Sequence, residues 1–324
     1  MAAHHEQAPG TSAADALRPH QAMGHGREFD TIRMLMARWG DLAADIGDDA
    51  AVLPVLSAGH RVVSTDACVE DVHFRRSWIT PFEVGVRAAS ASLSDLAAMG
   101  ADADYVLVAF VVPQAWEPLL GEVADGLAVP VRRAGARIVG GNLSRGQAFG
   151  ITLTVIGHAQ RPVPRRGAQV GDLVVVTGRL GGPGAALAAW TAGQAPSPWA
   201  RERFAAPMPR LREGRLLADG GATAMLDISD GLAADARHLG AASGVHLAHD
   251  PDLLPVGDGT AAQAALVSGE EYELLATVPP ARLEALQARW WAEAEVPLTV
   301  IGRVEAALRG DEPTLDTAGH DHFR

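Results

Sequence analysis

The 324-residue sequence contains no lysine, so all 27 of its basic side chains are arginine. That absence excludes Schiff-base chemistry, the P-loop type of phosphate cradle and the protein-kinase arrangement built on a strand lysine. Cysteine is nearly absent as well. The single Cys68 excludes an internal disulfide framework or a cysteine-based zinc cluster, and makes the cytoplasm the expected compartment. Positive charge is scarce: 27 basic against 39 acidic residues leave a net charge of -12, which argues against nucleic acid as a partner. Long apolar runs are missing too. The longest, Tyr105–Pro113, is far short of a bilayer span, and Met1–Gly26 has no apolar centre, so neither membrane insertion nor a secretory signal is expected.

What is present is enough apolar material, 48% of residues, for a sizeable core and two domains. The composition predicts a disordered tail over 1–26, a domain over 27–160, a Pro- and Arg-punctuated linker over 161–172 and a second domain over 173–324. Both domains read as mixed α and β elements. Helices are expected over Glu28–Trp39, Pro81–Met99, about 115–134, Leu211–Ala218 and Ala281–Ala292. Strands are expected near 51–55 and 61–69, and over Tyr105–Val112, Ala136–Gly140, Phe149–His158, Leu173–Thr177, Ala222–Ile228, Tyr272–Val278 and Leu298–Arg303. Residues 193–209 read as a Pro-rich loop.

Within Ile46–Phe74 carboxylates are set among short apolar runs. Alternation puts Ser64 and Asp66 on one face of a strand, and the turn Gly47-Asp48-Asp49 brings more acid beside it. Hard cations such as Mg2+ take such oxygen groups, although a solvated turn before an ordinary strand has the same pattern. In the helix from Pro81, Val84, Ala88, Ala91 and Asp95 fall on one stripe, so Asp95 continues an apolar face. A buried carboxylate is costly unless paired or bound to metal, so Asp95 is either a ligand or the partner of an arginine. Asp227 and Asp230 flank a strand-to-helix junction at which Ser229 reads as the N-cap.

The stretch Gly140–Gly146 (GGNLSRG) reads as a join between two strands, either a phosphate cradle or a long hairpin. Ser268–Glu273 puts three acids before a strand, which a charged loop also does. His73 contacts substrate or caps a strand end.

Taken in order, IGDDAAVL, STDACVEDVHF, SLSDLAAMGA, GGNLSRG, RRGAQVGD, DISDGLAAD, SGEEYELL and GHDHF resemble the thiamine-monophosphate kinases of the PurM-like ATP-dependent superfamily, from about Glu28 to Phe323. The resemblance implies an α/β fold with mixed sheets in a PurM-like two-domain architecture, an N-terminal domain that dimerises through its strands, and an ATP site between the domains. It implies ATP-dependent, in-line phosphorylation of thiamine monophosphate to the diphosphate with several Mg2+ ions, and K+ stands as a further candidate cofactor. By motif, Asp49, Ser64, Thr65, Asp66, Asp95, Asn142, Asp227 and Asp230 resemble metal ligands. Among these Asp49, Asp66, Asp95 and Asp227 are the candidate catalytic carboxylates. Gly140, Gly141, Arg165 and Ser229 resemble ATP contacts, and His73, Glu270 and Phe323 resemble thiamine-phosphate contacts. The chain departs from the family pattern at Asp71, Asn142 and Glu271, where Gly, Asp and Asp are usual. An amide oxygen at Asn142 still coordinates Mg2+. An aminoimidazole-ribonucleotide synthetase-like enzyme and a non-catalytic nucleotide-binding regulator are the rival readings.

Overall fold

The structure is a computed structural model and describes residues 27–43, 53, 56–257 and 259–307. The tail 1–26, most of the strand expected near 51–55, and the expected site residues Asp49 and Phe323 lie outside the described residues. In chain order the first half holds α1 (Arg27–Trp39), β1 (His60–Val69), α2 (Pro81–Ala98), β2 (Asp102–Val112), α3 (Leu120–Arg133), β3 (Arg137–Arg145) and β4 (Gly150–Ala159). The second holds β5 (Leu173–Thr177), α4 (Gly182–Thr191), α5 (Pro198–Ala205), α6 (Leu211–Asp219), β6 (Ala224–Asp227), α7 (Leu232–Ser243), β7 (Val245–His249), α8 (Ala262–Leu266), β8 (Leu274–Val278), α9 (Pro280–Glu293) and β9 (Leu298–Ala306). Among the described residues no helix is long and apolar enough to cross a membrane.

The helix that organises both halves is α2. Thr80 and Glu83 form a reciprocal capping box and Pro81 occupies the first turn, so the start of the helix is fixed by its own sequence. Its apolar residues then face neighbours on several sides. Toward α3 the approach is so close that a Cβ on Gly85 would meet the Val123 carbonyl oxygen at 2.0 Å, and one on Gly126 the Phe82 carbonyl oxygen at 1.8 Å. Its last turn enters the other half, where Ala97 and Ala98 join a core with Leu216, Leu217, Val175 and Met225. Residues from both sheets therefore converge along one helix.

The first sheet has the order β1-β4-β2-β3, with β3 parallel to β2 and the other pairs antiparallel. Its strands alternate. Cys68, Ile151, Leu153, Val155, Val106, Val108 and Phe110 face the helices, whereas Val63, Thr65, Ala67, Thr152 and Val111 face outward, with Val63 59% exposed. The second sheet, β6-β8-β5-β9-β7, is antiparallel throughout and covered on both faces. Val174 and Val176 pack toward α7, Leu173 and Val175 toward α6 and α9, which is why β5 and β8 read as unbroken apolar runs.

Three local expectations are corrected. The stretch Gly140–Arg145 is not a join between strands: β3 continues to Arg145 beside β2, and β4 lies on the far side of β2, so there is no hairpin. Glycine is used here for closeness, since a Cβ on Gly141 would meet the Val108 carbonyl oxygen at 1.9 Å. Residues 193–209 contain a helix, α5, capped by the Ser197 hydroxyl, which accepts the Ala200 N–H at 3.2 Å. Ser229 is not the N-cap of α7. The helix begins after Gly231, and Asp235 in its first turn reaches back to accept the N–H groups of Ser229 and Asp230, both at 3.1 Å.

Candidate active site

Ser64 and Asp66 leave β1 on the helix-covered face, as their alternation with the exposed Val63, Thr65 and Ala67 dictates. Asp95 meets them from α2: the Ser64 hydroxyl donates to its Oδ2 at 2.5 Å. One residue earlier on the helix, the Ser94 hydroxyl donates at 2.7 Å to Oδ2 of Asp227, which ends β6 in the other sheet. Two serines thus hold two carboxylates that belong to different sheets' surroundings. The electrostatics reflect the crowding. Burial, then the charge of Asp66, pushes the Asp95 carboxyl above its ordinary value against the pull of Ser64 and Arg165. Burial and the charge of Asp95 push Asp227 up to about 6, with Ser94 and Arg165 opposing.

The acidic group continues past β6. Burial pushes Asp235 up to about 7, helped by the charges of Asp230 and Asp227 and opposed by the backbone N–H groups it accepts. Ligand atoms of Asp230, Asp235 and His238 all lie within 4.8 Å of one another, a grouping of two carboxylates and an imidazole on one helix start. Glu270 closes over the same junction, its N–H donating to the Ser229 carbonyl at 2.7 Å. Its side chain forms an ion pair with Arg87, a fully buried arginine two turns before Asp95. His73 lies past the end of β1, where its Nδ1 accepts the Val69 N–H at 3.1 Å, so it does cap the strand end.

Two expected ligands are not brought to this group. Thr65 and Asn142 point to the outward face, where Thr65 Oγ1 donates to the Leu153 carbonyl at 3.1 Å and Asn142 Nδ2 donates to Ser144 Oγ at 3.0 Å. Register puts Asn142 in one row with Ala109, Thr152 and Ala67, so it stands on β3 three strands away from β1, roughly 14 Å across the sheet. Gly140 and Gly141 share that distant edge.

Arg87, Ser94, Asp235 and His238 were not singled out by the sequence reading. Ser94 and Asp235 had a signal, since both lie inside the quoted motifs. The charged-loop alternative for Ser268–Glu273 does not hold at Glu271 and Glu273. Both are 0% exposed, Glu273 held by Arg210, Arg203 and Thr177, and Glu271 by Ser268 and the Gly181 N–H.

The chain matches two family profiles, AIR synthase related protein, N-terminal domain, over residues 47–159, and AIR synthase related protein, C-terminal domain, over residues 169–311. A curated thiamine-monophosphate kinase of Salmonella typhimurium is 34% identical over 319 residues, 92% of this chain and 96% of that one. A thiamine-monophosphate kinase from Stenotrophomonas maltophilia superposes with a TM-score of 0.76 at 32% identity, covering 86% of this chain and 93% of the other. A solved structure described as AaThiL complexed with AMPPCP and TMP superposes with a TM-score of 0.73 at 30% identity, covering 91% and 97%.

Proposed function

Since the chain belongs to the thiamine-monophosphate kinase family of AIR synthase related proteins, we propose that it transfers the γ-phosphoryl group of ATP to the phosphate of thiamine monophosphate, in line and with several Mg2+ ions, in the cytoplasm. The observation that carries this reading is the meeting of Asp66 from β1, Asp95 from α2 and Asp227 from β6, with Asp95 held by Ser64 and Asp227 by Ser94. A relative bound to AMPPCP and TMP supports the choice of the two substrates.

Mg2+ fits the donors present. Carboxylate oxygens are hard ligands, and a buried Asp227 raised to about 6 beside Asp95 is a group short of positive charge. Asp66, Asp95 and Asp227 would hold the ions, joined by Asp49 from its motif, with Asp230 and Asp235 as a second group. Bound Mg2+ neutralises facing phosphates and stabilises charge on the transferred one. The chain's own residues orient: the two serines fix carboxylate rotamers, Arg165 and the Ser229 turn meet phosphate, and His73, Glu270 and Phe323 receive the thiamine part. A phosphate oxygen is already a nucleophile, so no strong general base is required. K+ is retained as a candidate monovalent cofactor.

The proposal includes a homodimer. The outward face of the first sheet carries Val63, Ala67 and Val111, and β1 and β3 are its edge strands among the described residues. Two such sheets packed face to face about a two-fold axis parallel to the strands would set β1 of one copy opposite β3 of the other. Thr65 and the partner's Asn142, Gly140 and Gly141 would then share one site, which a single chain cannot assemble across roughly 14 Å.

The test is purified protein with ATP, Mg2+ and thiamine monophosphate, with products identified by mass. Thiamine diphosphate and ADP are expected. Aminoimidazole ribonucleotide formed from its formylglycinamidine precursor instead would replace the kinase reading, and no ADP with either substrate would leave a nucleotide-binding regulator.

A further inference from the structure

Arg87 has no role in the chemistry above, yet it is among the largest fully buried side chains. Burying a guanidinium costs several kcal/mol unless its charge and donors are met. Two segments answer that charge through three contacts. Nη1 donates to the Phe204 carbonyl at 2.5 Å, the guanidinium lies 3.9 Å from the centre of the Phe204 ring, and Nη2 pairs with Oε1 of Glu270. Glu270 sits on a constrained loop. Its φ is 59° and that of Tyr272 is 52°, left-handed conformations that side chains other than glycine adopt only when held there. The holding contacts are visible: Glu270 N–H to the Ser229 carbonyl, Tyr272 N–H to the Ile228 carbonyl at 2.9 Å, and Arg203 Nη2 to the Glu271 carbonyl at 2.8 Å. The Glu270 side chain keeps 24% exposure while Arg87 keeps 2%.

A charged pair with one buried end and one open end presents a directed acceptor with little net charge. Such a group repels phosphate less than a bare carboxylate does, but offers phosphate no donor. It is suited to an N–H on a neutral ring, because the adjacent guanidinium disfavours a cation such as the thiazolium. Resting on the reading of Glu270 as a thiamine contact, we infer that Arg87 is a positioning residue that aims Glu270 at the amino group of the substrate's aminopyrimidine ring, and so sets specificity for an amine at that position. The buried end fixes the rotamer; the open end reads the ring.

The experiment compares binding of thiamine monophosphate and oxythiamine monophosphate, which carries oxygen in place of that amine, by calorimetry with the wild-type protein, Arg87→Gln, Arg87→Lys and Phe204→Leu. The wild type is expected to prefer the amine by at least about tenfold, the scale of one hydrogen bond to a charged acceptor. In Arg87→Gln the preference falls toward unity, Arg87→Lys recovers part of it, and Phe204→Leu, which leaves the ion pair intact, keeps it. A merely structural Arg87 would lower the melting temperature and leave the ratio unchanged, and that result, or a wild type without preference, overturns the inference. If the wild type binds neither compound, the thiamine reading falls first and this inference with it.

Discussion

Glu271 supplies a test of the buried charge network that does not depend on turnover. Its carboxyl is 0% exposed, Oε1 accepts from the Ser268 hydroxyl at 2.5 Å and the Gly181 N–H at 2.6 Å, and Arg203 Nη2 stands 4.0 Å from Oε2. Burial, which outweighs those contacts, raises the group from 4.5 to about 7. Below pH 4.5 the proton is bound in folded and unfolded chains alike, and the contribution to stability is fully present. As pH rises through 7 the folded protein must also give up the proton, and that contribution is lost. The gap between the two values corresponds to roughly 3 kcal/mol at full ionisation.

Glu271→Gln keeps an acceptor oxygen for Ser268 and Gly181 but cannot ionise. With a chelator present, thermal melts from pH 5 to 8.5 should show the wild type losing stability relative to the variant, by on the order of 5 °C at the alkaline end. Melting curves that stay parallel across this range would refute the reasoning.

Asp95→Asn should lower turnover by at least about 100-fold while leaving the chelated protein at least as stable, because a half-buried like charge beside Asp66 is removed; activity and melting temperature measured together decide it. Gly126→Ala should cost about 1–3 kcal/mol in denaturant unfolding, since the added methyl meets the Phe82 carbonyl across the α2–α3 contact. Mixing Asp95→Asn with Asn142→Arg should restore up to about a quarter of wild-type activity if the partner's Asn142 completes the site, because half the dimers then hold one intact site. No recovery on mixing would place both residues' roles in the same copy.

Much of the site was legible where a side chain's fate follows from its own element. Asp95 falls on an apolar stripe, and the helix buries it in part; Ser64 and Asp66 share a strand face, and the strand turns both toward α2. Where the fate depends on a distant partner, sequence alone misled. Glu273 is 63 residues from Arg210 and 96 from Thr177, and no local pattern distinguishes an acid with such partners from one in water. Arg87 was passed over for the same reason: its ion pair crosses from α2 to the loop before β8.

The stretch from Gly140 to Gly146 shows a different limit. Glycine was read as a sign of a turn, whereas here Gly141 makes room for the backbone of β2, and both uses leave the same letters in the chain. Serine in the motifs has a similar double meaning. Ser229 has the side chain of an N-cap, but α7 starts after Gly231 with no side-chain cap, and Asp235 reaches back from inside the helix to the N–H groups of the preceding turn. That exchange leaves the Ser229–Asp230 backbone fixed by a carboxylate beside Asp227, so the acids of this junction are held close before any cation arrives. Burial raises Asp227 and Asp235, and that closeness adds to it. A turn capped by an ordinary serine would have kept the backbone and lost the crowding, and with it the attraction for a metal–phosphate complex.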